Sequence, residues 1–190
     1  VATIYANDVL IKNNSNAESG TVYASGETHL TRCVFDGNTA DATTTDEANA
    51  IVVPKGGNMK MYGCTVQNHV ANGESNTIII RDNATLYLGA DSNGKRTLIK
   101  GNSTKFGGAI RVAQRKDVTG TATLIAEATT FEGNNAQYGG AILACGPADI
   151  NLYNNVTFKD NYSSNGNGGA ILFESKGTLT CNNCHFENNH

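Results

Sequence analysis

The chain has 190 residues and a net charge of -3, from 14 basic and 17 acidic side chains scattered without blocks. No basic stripe suits a phosphate backbone, so nucleic acid is not an expected partner. No apolar run approaches the ~20 residues that span a bilayer, and residues 1–20 lack the basic-then-apolar pattern of a signal peptide.

With 21 Gly, 2 Pro and no Trp, the chain shows no sustained 3.6-residue period. Its β-branched residues are separated by Asn and Gly, which predicts many short strands joined by tight corners. An apolar residue followed three positions later by Asn recurs at Ile11/Asn14, Phe35/Asn38, Ile99/Asn102, Phe131/Asn134, Phe158/Asn161 and Phe186/Asn189, and Val66/His69 fits the same slot. The spacings are 24, 31, 33, 32, 27 and 28 residues, one coil of a solenoid each time.

Two residues before each anchor lie Val9, Cys33, Cys64, Thr97, Thr129, Val156 and Cys184. Further upstream come Thr28 with Leu30, Met59 with Met61, Leu86 with Leu88, Leu124 with Ala126, Leu152 near Tyr153, and Leu179 with Cys181. Side chains alternate faces along a strand, so these pairs belong to two strands with a corner between them. An insertion around Ala90–Lys95 falls at that corner in the fourth coil. A third strand follows each anchor, with an inward column read as Val22, Ile51, Ile79, Ile110, Ile142 and Ile171. Gly-Gly-Ala-Ile completes it three times, at residues 107–110, 139–142 and 168–171. The glycines suit a corner needing positive φ or close approach.

The expected fold is all-β: a right-handed single-stranded parallel β-helix, with three sheets and about six to seven coils. One domain covers residues 1–190, read as an excerpt of a longer repeat array or as a stacking subunit, because no capping element is visible at either end. Asn14, Asn38, Asn102, Asn134, Asn161 and Asn189 form a corner ladder, since Asn tolerates the left-handed conformation and stacked amides bond from rung to rung.

Cys33, Cys64 and Cys184 fill one inward column as small hydrophobes; the alternative is a disulfide of Cys33 with Cys64 or of Cys181 with Cys184. The residues after the anchors read Lys12, Asp36, Gln67, Lys100, Glu132, Lys159 and Glu187, a charge ladder rather than an acid pair. No catalytic residue and no cofactor are expected, apart from a weak calcium option at Asp36, Asp41, Asp46 and Glu47. His29, His69, His185 and His190 form no recognisable triad. Sequons occur at Asn13, Asn83, Asn102, Asn155 and Asn161.

One residue past the inward column of the third sheet, Tyr23, Val52, Ile80, Arg111, Leu143 and Leu172 read as outward, five of the six large and apolar. Such a stripe is either a contact surface or the bed of a loop, such as 112–122 or 90–96.

Phe-x-x-Asn alternating with Gly-Gly-Ala-Ile, clearest from about residue 99 to 189, resembles the repeats of the chlamydial polymorphic outer-membrane protein family. Similar repeats occur in large adhesin-like β-helix proteins. The resemblance implies an extracellular or cell-surface β-helical passenger without catalytic residues to carry over, meeting a protein or glycan on a cell surface or copies of itself. Two other functions stay open: a carbohydrate-active β-helix (lyase, hydrolase or glycan-binding module), and a filament subunit stacked end to end.

Overall fold

The computed structural model describes residues 2–16, 20–40, 47–71, 74–113 and 119–190. Every regular element among them is a strand, and every pairing between named strands is parallel. The first sheet stacks Thr3–Asn7, Glu27–Thr31, Asn58–Tyr62, Thr85–Gly89, Ala122–Glu127, Ala148–Tyr153 and Leu179–Cys181. The second stacks Leu10–Lys12, Val34–Asp36, Thr65–Gln67, Thr97–Lys100, Thr129–Glu132, Val156–Lys159 and Cys184–Glu187. The third runs through Val22–Tyr23, Ala48–Val53, Asn76–Ile80, Ile110–Val112, Ile142–Gly146 and Ile171–Ser175. Strands that are neighbours in a sheet come from successive coils, which defines a parallel β-helix with three main sheets.

All seven anchors pair in register, Ile11 with Phe35, then Val66, Ile99, Phe131, Phe158 and Phe186. Identical residues in one column pack face on face. The rings of Phe131, Phe158 and Phe186 stack at 4.8 Å with interplanar angles of 3° and 8°. Equal spacing along a column forces this parallel geometry, because each ring has the same backbone address as its neighbour. Leu86 and Leu88 pair with Met59 and Met61, so the 90–95 insertion bulges outward without shifting the sheet. It closes on itself through Asp91, whose Oδ1 accepts from the amides of Asn93 and Lys95 at 2.9 Å.

Two expectations are corrected. The upstream partner of Leu152 is Ile150, which pairs with Leu124 and Leu179, and Tyr153 points outward beside Glu127. An extra corner residue accounts for the offset: Asn154 and Asn155 both take positive φ, where the equivalent corner at Arg32 or Gly63 needs one such residue. In the third sheet, Ile78 pairs with Ile51 and Ile110, while Ile79 pairs with Val52 and Arg111. Ile78 and Ile80 therefore face the core, and Ile79 takes the outward place assigned to Ile80. Three consecutive isoleucines give no alternation to read, and a one-residue slip exchanges the faces. A register irregularity between Asn76 and Ile78 makes up the difference.

Candidate functional site

The ladder at the corner between the second and third sheets is a chain of amides with every polar atom used in its central rungs. Asn134 donates from Nδ2 to Oδ1 of Asn161 at 2.9 Å and to the carbonyl of Ile99 at 2.9 Å. Its own Oδ1 accepts from the backbone and side-chain nitrogens of Asn102, at 3.2 and 2.9 Å. The pattern repeats from Asn161 to Asn189, where Nδ2 donates to Oδ1 at 2.8 Å, and from Asn14 to Asn38, also at 2.8 Å. Two donors and two acceptors per amide are satisfied in a buried column, which removes the desolvation penalty of an unpaired polar group.

Left-handed tolerance is not why Asn sits there. The residue with positive φ is the one before, in the column Asn13, Gly37, Asn68, Gly101, Gly133, Asp160 and Asn188. Its Asn, Gly and Asp composition was a visible signal for that backbone. The ladder position instead selects a planar amide with both a donor and an acceptor end.

His69 interrupts the chain. Its Nδ1 lies 3.0 Å from both the amide nitrogen and the carbonyl of Asn38, and its backbone N–H donates to Oδ1 of Asn102 at 3.2 Å. Nε2 is buried without a hydrogen-bond partner. Burial holds this imidazole below its ordinary pKa, against the opposing effect of the Asn38 and Phe35 backbone and of Asp36.

The outward column of the third sheet is not an exposed stripe. Val52 is 0% and Leu143 3% exposed, Arg111 is buried as well, and Ile79 packs with Val52 and Ala48 in a small cluster outside the main core. Segments entering the third sheet close over this face. A Cβ placed on Gly107 would come within 2.5 Å of Leu143 Cδ2, and one on Gly20 within 3.1 Å of Val52 Cγ2. Of the residues expected there, Tyr23 stays exposed and Leu172 half-buried, while Ile80 lies in the core. The 90–95 insertion lies elsewhere: Asp91 packs at Gly63, at the corner between the first two sheets.

The remaining candidates are dispersed. Asp36 accepts from Asn68 at 2.9 Å and pairs with Lys12 at 3.5 Å, and the Asn68 bond foremost holds its carboxyl below the usual range. Glu47 pairs with Arg81 at 3.4 Å, and Asp41 and Asp46 lie outside the described residues. No group of three or more His, Cys, Asp or Glu gathers to hold a metal among the described residues. The charge ladder from Lys12 to Glu187 keeps one column throughout. All five cysteines are free. Cys33 and Cys64 lie in the core with Sγ 3.4 Å from the carbonyls of Ala6 and Leu30, and burial pushes the Cys64 thiol up to about 12. His29 bonds Glu27, and His185 lies 3.6 Å from Glu187. The Asn102 and Asn161 sequons belong to the buried ladder, whereas Asn13, Asn83 and Asn155 are exposed.

The outward face of the first sheet brings together residues that sequence reading did not connect. Tyr62 and Tyr87 lie 5.4 Å apart with rings tilted by 50°. Tyr87 leans over Gly89, where an added Cβ would meet its ring at 2.8 Å, and donates its hydroxyl to Glu127. Glu127 also accepts from Asn154 Nδ2 at 2.9 Å, and Tyr153 is its strand-to-strand neighbour. Burial and then the Glu127 charge push the Tyr153 phenol up. Tyr62 and Tyr87 lie 25 residues apart in the sequence, so only the register, together with a glycine that lets one ring lean, makes them a cluster.

No helix among the described residues is long and apolar enough to cross a membrane. No curated protein and no solved structure matches the chain. Residues 128–145 and 155–174 match the Chlamydia polymorphic membrane protein repeat, and each match runs from the strand of a stacked Phe through its ladder Asn to the Gly-Gly-Ala-Ile corner.

Proposed function

We propose that this chain is the β-helical, adhesin-like part of a cell-surface protein, a stiff rod that presents side chains to another surface. The observation that carries the reading is the division of labour in each coil. Inward columns keep to apolar residues and Thr, and the amide ladder keeps Asn at every rung but that of His69, while outward residues change charge and polarity from rung to rung. Stacked coils with satisfied buried amides hold outward groups at fixed spacing, as a contact surface requires. The two segments that match the polymorphic membrane protein repeat support a surface location.

Binding of the fluorescently labelled chain to intact animal cells and to bacterial cell surfaces tests this. Saturable binding that unlabelled chain displaces is the expected result. Uptake that is linear in concentration and not displaced would overturn it.

A further inference from the structure

The three outward faces differ in chemistry. The third sheet's is closed over in its middle, and the second sheet's carries the charge ladder. Among the described residues, only the first sheet shows half-buried aromatic rings interleaved with polar groups across successive internal coils. Tyr62 and Tyr153 stand three rungs apart on this face, roughly 14 Å at the usual strand spacing. Tyr87 and Glu127 lie on the two rungs between them.

We infer that this face is a binding site for a neutral oligosaccharide lying along the stack. The inference rests on the adhesin-like reading and names its ligand class. Tyrosine presents an apolar ring face and a polar tip, which matches a sugar ring with its C–H faces and equatorial hydroxyls. Glu127, fixed by Tyr87 and Asn154, offers carboxylate oxygens as hydrogen-bond acceptors for hydroxyl groups, with its orientation already set.

Charge decides against an acidic glycan. The face carries Glu27, Glu127 and Asp149, while its cation Lys60 lies 3.6 Å from Glu27. Nearby, Arg96 is committed to the carbonyls of Thr129 and Asn155, at 3.0 and 2.6 Å. A carboxylated or sulfated chain would meet net negative charge, whereas a neutral one meets acceptors.

Native gels containing a soluble neutral β-glucan or galactomannan, beside gels containing heparin or polygalacturonate, provide the test. Retardation is expected in at least one neutral gel and in neither acidic gel. Tyr62→Ala and Tyr153→Ala should each weaken it about tenfold or more, while Tyr162→Ala, on a different surface, leaves it unchanged. Asn151→Arg places bulk on the same outward face without removing a ring, and should also abolish retardation with the thermal midpoint preserved. The chain has no Trp, so its tyrosine emission should change on titration with the same polysaccharide.

No retardation in any neutral gel, retardation in the acidic gels alone, or equal retardation of the Tyr62, Tyr153 and Asn151 variants would overturn the glycan site. The same variants applied to cells separate the two readings. Undiminished displaceable cell binding by Tyr62→Ala sinks the glycan face and leaves the adhesin-like reading standing. Loss of binding to cells and polysaccharide alike by the unmodified chain sinks both.

Discussion

From Ile99 to Asn189 successive coils repeat one geometry, with stacked phenylalanines and an unbroken run of amides. Between Ile11 and Leu98 the same columns hold Ile, Phe and Val as anchors, with Cys, Met and Leu beside them and a histidine among the amides. The backbone register is nevertheless continuous across both halves. The apolar columns ask only for approximate volume, so their composition drifts freely. The amide column asks for a donor and an acceptor at fixed places, so its one departure leaves an orphaned atom.

The largest effect expected from this contrast is at the stacked rings. Phe131→Ala should cost about 4 kcal/mol in chemical denaturation, and Val66→Ala, in the same column of the other half, about half as much. Equal losses would mean that the larger stacked ring contributes no more to this column than a valine does. Next comes the ladder. Asn134→Ala strands the Asn102 and Asn161 amide partners and the Ile99 carbonyl, and should cost about 3 kcal/mol. Asn14→Ala, at an exposed end rung, should cost much less, and parity between the two would remove the argument from satisfied amides.

A smaller and opposite change is expected at the interruption. His69→Asn restores the amide geometry and should raise stability by about 1 kcal/mol near neutral pH. The folded imidazole is held below its ordinary value, so below pH ~6.5 the unfolded chain takes up protons that the folded chain refuses. Stability should therefore fall as pH drops below ~6.5, by at most about 1.4 kcal/mol per unit. In His69→Asn that slope should vanish, leaving the loss below pH ~4 that follows protonation of carboxylates such as Asp36. An unchanged slope would place the sensitivity elsewhere. Smallest of all, Lys12→Ala removes an exposed partner of Asp36 and should leave the denaturation midpoint where it is.

The repeat was legible because a parallel solenoid writes one column at nearly constant spacing, and all seven anchors from Ile11 to Phe186 pair as their spacing predicts. Two kinds of feature were not. Ile78, Ile79 and Ile80 carry no alternation, so sequence could not say which two face the core. Burial of Val52 and Leu143 depends on how the segments through Gly20 and Gly107 return across the sheet, and no residue type marks that path. The Tyr62, Tyr87 and Glu127 cluster was hidden for a related reason. Tyr62 and Glu127 share a column with residues of unrelated chemistry, and Tyr87, two residues off that column, reaches them only because Gly89 is bare.

Between coils, the backbone hydrogen bonds of all three sheets and the amide chain point along the stacking direction. A pull applied between the two ends would load the coil interfaces in series, each a bundle of bonds sharing the force in parallel. The bundle is thinnest around His69, where no side chain bonds another along the ladder: Nδ1 meets only the Asn38 backbone on one side, and Asn102 meets only the His69 amide and the Val66 carbonyl on the other. Under tension the rod should part there first, which makes a single ring in the ladder a mechanical fuse for the molecule.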